Sequence, residues 1–160
     1  MFEIGEKIVY PSHGVGKIDG IEDQEIAGQK MTCYVLHISE KKLKILLPVI
    51  NAGKVGLRHL IREEDVEKVL EILGQEMDEM PKKWSKRWVM NHEKLRTGSI
   101  YDIAKVYRNL SRLEKSKVLS LNEKRMLDNA KELMVSEIAH SRKIGFIQAE
   151  SLISESCGLA

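Results

Sequence analysis

Met31-Thr-Cys-Tyr-Val-Leu-His-Ile-Ser39 is the stretch on which the fold turns. Tyr34, Leu36 and Ile38 alternate with Cys33, Val35 and His37, and a period of two places the two sets on opposite faces of a strand. Ala27-Gly28 supplies a turn ahead of this strand and the charged Glu40-Lys-Lys42 one behind it, so residues 43–47 form another strand. Upstream, Lys7-Ile-Val-Tyr10 is a short strand stopped at Pro11. Ser12-His-Gly14 is a turn, and 17–22 is a further strand candidate. Strands this short and closely spaced predict a small antiparallel sheet or partly closed barrel.

From about residue 60 the apolar period becomes helical. Val66, Val69, Leu70 and Leu73 share one side of a helix over 63–73 that Gly74 ends. Pro81 opens a second helix in its first turn, and Thr97-Gly98 breaks it. Ser99-Ile-Tyr-Asp102 has capping-box spacing, with Asp in place of the usual Glu or Gln, and starts a third helix reaching about residue 115. Ser120-Leu-Asn-Glu123 is a full capping box, opening a fourth helix to about residue 140. A fifth spans 147–155. The predicted fold class is therefore α+β in two domains: a small antiparallel β module over 1–54 and an all-helical module over 55–160. The turn Asn51-Ala-Gly53 marks the boundary.

The net charge of +2 conceals a segregation. Residues 61–80 hold two Lys or Arg against eight Asp or Glu, a net of −6, whereas 81–143 hold sixteen against seven, a net of +9. Both tryptophans lie in the basic block, in Pro81-Lys-Lys-Trp-Ser-Lys-Arg-Trp88. An indole among Lys82, Lys83, Lys86 and Arg87 points to a surface that meets a polyanion and offers it an aromatic face. Trp84 and Trp88 are one helical turn apart. Trp88 continues a stripe through His92 and Leu95 and is expected in the core. The residues alone leave Trp84 open between packing and exposure. A second basic set comprises Lys105, Arg108, Arg112, Lys115 and Lys117, with Arg108, Arg112 and Lys115 on one face of the third helix. Lys124 and Arg125 open the fourth. None of this resembles a base-reading major-groove helix, so phosphate contact with low sequence specificity is expected.

Catalytic chemistry has no residues to stand on. Gly14-Val-Gly16 lacks the rest of a phosphate loop, and His13, His37, His59, His92 and His140 form no metal spacing. The acidic run 63–67 suits a helix start. The chain is expected to be no enzyme, with no cofactor, no metal and no small-molecule substrate. Cys33 and Cys157 read as separate buried thiols. There is no signal peptide and no apolar run of the ~18 residues a membrane span needs, so a cytoplasmic protein that does not engage membranes is expected. The β module's open sheet edge can accept a strand from a partner. A rival reading is a protein-interaction adaptor whose basic helical face binds an acidic partner.

Gly5-Glu-Lys-Ile-Val-Tyr-Pro-Ser-His-Gly14-Val-Gly resembles the opening "G-D-x-V-V-Y-P-x-H-G" of the bacterial CarD/CdnL transcription regulators. The resemblance continues through Ile26-Ala-Gly28, Tyr34-Val-Leu, Leu47-Pro48, Asn51-Ala and Val55-Gly-Leu-Arg58. It resumes at Trp84-Ser-Lys-Arg, Glu93-Lys-Leu and Gly98, and is strongest at Leu121-Asn-Glu-Lys-Arg-Met-Leu127. The N-terminal part alone would also resemble the polymerase-binding module of transcription-repair coupling factors, but those are long helicases. The resemblance implies a Tudor-like β module that docks on the β subunit of bacterial RNA polymerase through a sheet edge. It places Gln24, Ile26, Lys44, Leu46 and Pro48 in that contact. It implies a helical module on promoter DNA, with Trp84 wedged in the minor groove at the upstream edge of the melted bubble and Lys86 and Arg87 on the backbone. Lys83, Arg108, Arg112, Lys124 and Arg125 complete the expected DNA set. Gln24 and Leu46 stand where relatives often carry arginines tied to polymerase, which leaves main-chain pairing as the basis of that contact. Val89 stands at an often basic position, and Trp88 replaces a common tyrosine.

Overall fold

The computed structural model describes residues 1–158. The chain divides after Leu60 into two compact units, each with its own core.

The first unit is a five-stranded antiparallel sheet: β1 (Lys7–Tyr10), β2 (Gly14–Ile26), β3 (Gln29–Ile38), β4 (Leu43–Pro48) and β5 (Arg58–His59), in the order β4-β3-β2-β1-β5. Ile8, Ile18, Tyr34, Leu36 and Leu47 form its core, with Ala52 and Leu57 from the chain after β4. β2 runs well past the 17–22 predicted for it. Its tip, 23–26, pairs with 29–32 of β3 through mostly polar, exposed residues that carry no alternation to read. Ala27 and Gly28 both have positive φ, 51° and 77°, which is the geometry of a tight two-residue hairpin turn. Space is tight at Gly16: a Cβ there would sit 3.2 Å from Ile38 Cγ1 and 3.3 Å from the His37 carbonyl.

The boundary predicted at residue 54 moves to 60. Leu57 packs into the sheet core and Arg58–His59 pairs with β1, so the turn at 51–53 is internal to the β unit.

The second unit holds α1 (Val66–Gly74), α2 (Trp84–Arg96), α3 (Ile100–Glu114), α4 (Leu121–Arg142) and α5 (Phe146–Ser156). Its core takes Val69 and Leu73 from α1, Leu110 from α3, Met134 and Ile138 from α4 and Ile153 from α5. The Ser120 box forms: Glu123 N–H donates to Ser120 Oγ at 3.2 Å, and Ser120 N–H donates to Glu123 Oε1 at 3.2 Å. The predicted Ser99 box does not, because Asp102 instead accepts from Thr97 Oγ1 at 2.7 Å. Pro81 also lies outside its helix; α2 starts at Trp84 after a bend at Lys82 and Lys83. The reason is Arg87, which uses the carbonyls of Pro81 and Lys82 as acceptors. Cys33 and Cys157 are both free and buried. Among the described residues no helix is long and apolar enough to cross a membrane, and no His, Cys, Asp and Glu cluster could hold a metal ion.

Candidate nucleic-acid interface and sheet edge

Arg87 is the centre of the helical unit's site. A guanidinium stays charged at any working pH, so it enters a protein interior only with full compensation. Arg87 is 5% exposed. Its Nε donates to Glu123 Oε2 at 3.0 Å and its Nη2 to Glu123 Oε1 at 3.0 Å, the two-pronged geometry that matches a carboxylate. Nη1 donates to the carbonyls of Pro81 and Lys82. Burial alone would push the Glu123 carboxyl up. The Arg87 fork and the Ser120 amide and hydroxyl outweigh it and hold the group below the usual carboxylate range.

This pair has a geometric consequence that no spacing rule could show. It locks the first turn of α2 against the first turn of α4, which lie 36 residues apart. Lys83 and Lys86 flank Arg87, Lys124 and Arg125 follow Glu123, and all four are exposed. Trp84 stands among them, 48% exposed. Trp88, one turn on, is half-buried against the core and stacks on His92 with ring centroids 4.7 Å apart. The physical question left open at Trp84 is thereby answered as exposure.

Three members of the predicted DNA set are not surface cations. Arg87 is the buried clamp just described. Arg108 is 1% exposed. It pairs with Asp78 at 2.8 Å, shares the Asn109 side-chain oxygen at 3.1 and 3.2 Å, and donates to the Ile72 carbonyl at 3.2 Å. Arg112, half-buried, donates to the Leu73 carbonyl at 3.0 Å. Arg108 and Arg112 thus cap the C-terminal end of α1, where carbonyls lack helical partners and cations are favoured. Spacing correctly put them on one face of α3, but that face turns toward α1 rather than solvent. The residue the sequence reading missed is Glu123. Its signal was present: it is the lone acid between Lys115 and Arg125, and its capping role accounted for it without a second partner.

In the β unit, strand register decides the geometry. Gln24 pairs Met31, Ile26 pairs Gln29, and on the other side of β3 His37, Val35 and Cys33 pair Lys44, Leu46 and Pro48. Directly paired residues share a face, so Gln24, Ile26, Lys44, Leu46 and Pro48 all lie on one side of the sheet. The core residues Tyr34, Leu36 and Leu47 lie on the other. β4 is an edge strand with one free main-chain side in the sheet order, and Leu46 on it is exposed.

The two units together define a class: a two-domain α+β protein in which a small antiparallel sheet module is joined to a basic helical module. Residues 2–61 match the CarD-like/TRCF RID domain and residues 68–154 match the CarD C-terminal domain. The "Putative transcription factor YdeB" of Bacillus subtilis (strain 168) is 34% identical over 138 residues, covering 86% of this chain and 90% of that one. The solved structure "CdnLNt from Myxoccoccus xanthus" is 48% identical and covers 38% of this chain and 86% of its own, at a TM-score of 0.33. The chain belongs to the CarD/CdnL family. That family consists of transcription regulators associated with RNA polymerase and is not a known enzyme class.

Proposed function

We propose that this protein regulates transcription initiation by docking its β unit on the β subunit of RNA polymerase and holding promoter DNA with its helical unit. Trp84 wedges into the minor groove at the upstream edge of the melted bubble, and Lys83, Lys86, Lys124 and Arg125 take backbone phosphates. The observation that carries this reading is an exposed indole on the first turn of α2, flanked by exposed Lys83 and Lys86, on a turn that a buried ion pair ties to the α4 turn carrying Lys124 and Arg125. An exposed tryptophan is an apolar liability without a partner; DNA with an already distorted step offers the partner. An inserted side chain stabilises that step, so the complex with open DNA gains lifetime. The helical unit reads little sequence, and polymerase supplies the placement. Lys44, Leu46 and Pro48 on the β4 edge, with Gln24 and Ile26 of β2 on the same side of the sheet, support a contact by strand pairing flanked by side chains.

The test is Trp84→Ala in promoter complexes formed with polymerase. An aromatic–base contact is worth ~1–3 kcal/mol, so open-complex lifetime should fall by roughly 5- to 150-fold while thermal stability stays at the wild-type value. A variant that unfolds, or one that keeps full lifetime, overturns the wedge.

A further inference from the structure

Val118 and Leu121 are 88% and 64% exposed, while Leu119 between them is buried in the helical core. The connection from α3 to α4 is therefore anchored by Leu119 and presents Val118 outward, and the first residue of α4, Leu121, is outward too. Lys115 and Lys117 precede this pair and Lys124 and Arg125 follow it, all exposed. The only acid among residues 115–125 is Glu123, which is buried and bound to Arg87. Residues 81–88 contain no acid at all. Within these two segments, exposed apolar side chains thus stand among cations with no exposed acid, and the nearest acids, Glu114 and Asp128, lie on the Lys115 side.

We infer that Val118 and Leu121 form a second apolar contact on the same DNA that Trp84 engages, so that the helical unit grips the duplex at two points. This rests on the reading of Trp84 given above and extends it. The Arg87–Glu123 fork fixes where the second point lies. Trp84 is three residues before Arg87 and Leu121 two before Glu123, so their backbones are at most about 20 Å apart, within the ~34 Å of one turn of B-DNA. Aliphatic side chains in such a position pack on sugar faces and base edges of the minor groove, with the flanking lysines on phosphates. An acidic protein surface would satisfy the cations but gives no reason for this pair to sit beside an exposed indole on the same clamped end.

The experiment measures binding of the full chain to a duplex carrying an unpaired bubble, by fluorescence anisotropy across a salt series. Val118→Ser/Leu121→Ser should bind about five- to tenfold more weakly, the size of losing partial burial of two aliphatic side chains. The slope of log K against log salt should not change, because no cation is removed. Wild-type affinity in the double variant, with Trp84→Ala weakened, overturns the second contact and leaves the wedge standing. Weakening in the double variant, with Trp84→Ala at wild type, does the reverse. A flattened salt slope, or an equal loss of affinity for poly-glutamate, also overturns the proposal. If the double variant loses thermal stability, Val118→Ser alone carries the test: its side chain lies outside the core, and wild-type DNA affinity in it refutes the contact.

Discussion

Arg108→Met separates structural arginines from DNA-binding lysines in one experiment. The guanidinium of Arg108 is almost wholly enclosed and bonds Asp78, Asn109, Gln75 and the Ile72 carbonyl. Methionine keeps much of the length and apolar bulk but none of the donors. Breaking a buried ion pair costs about 3–5 kcal/mol. Asp78 is itself about half exposed, so water can resolvate it, and the lower end, about 3 kcal/mol, is the appropriate figure. For a unit of this size ~1 kcal/mol shifts Tm by about 4–8 °C, so a fall of roughly 12–24 °C is expected by circular dichroism or calorimetry. DNA binding, measured well below that temperature across a salt series, should keep its slope, since no phosphate contact is lost. Lys86→Met should give the opposite pair of results: an unchanged Tm and a slope smaller by about 0.9. If Arg108→Met instead keeps the wild-type Tm and flattens the salt dependence, Arg108 leaves its pocket to bind phosphate, and the assignment of α3's basic face to capping α1 is wrong.

Glu123 makes stability sensitive to acid in a definite direction. Its folded pKa lies below the unfolded value, so its contribution is complete above the ordinary carboxylate range and is lost as pH falls through the folded value. Glu123→Gln should cost about 3–5 kcal/mol at neutral pH and flatten the acid limb of a pH–stability curve; a parallel downward shift would assign that limb elsewhere. Ala27→Asn should stabilise the β unit by about 0.5–1 kcal/mol in urea, because asparagine accepts the left-handed geometry at lower cost than alanine. Leu46→Asp should abolish capture of the polymerase β subunit with no change in Tm, and retained capture would exclude the β4 face as the docking surface.

Much of this architecture is written in local pattern. The alternation through 33–38 and the Ser120–Glu123 box each specify one element, and both elements form as read. What the sequence could not display is which neighbour a charged side chain meets. Arg87 and Lys86 are adjacent, equally basic and set in the same run, yet one is sealed inside and the other is in solvent. The difference is made by Glu123, 36 positions away, and only packing brings it there. Arg108 and Arg112 illustrate the same point: their three-four spacing defines a face, but not whether water or the end of α1 lies opposite. The β2–β3 tip escaped notice for the converse reason, since a ladder exposed on one side and only half-buried on the other needs no apolar period.

The Arg87–Glu123 clamp also bears on the order in which the helical unit assembles. The buried side chains of α2 are Arg87 and Asn91, neither of them apolar, and its apolar contribution is the partial burial of Trp88 and Leu95. Its docking also uses a carboxylate held in the Ser120 cap of α4. We therefore expect α2 to consolidate after α4 and to open before it, so that its amides exchange with deuterium ahead of those of α3 and α4. The element that carries the indole is held in large part by charge matching to a neighbouring helix cap.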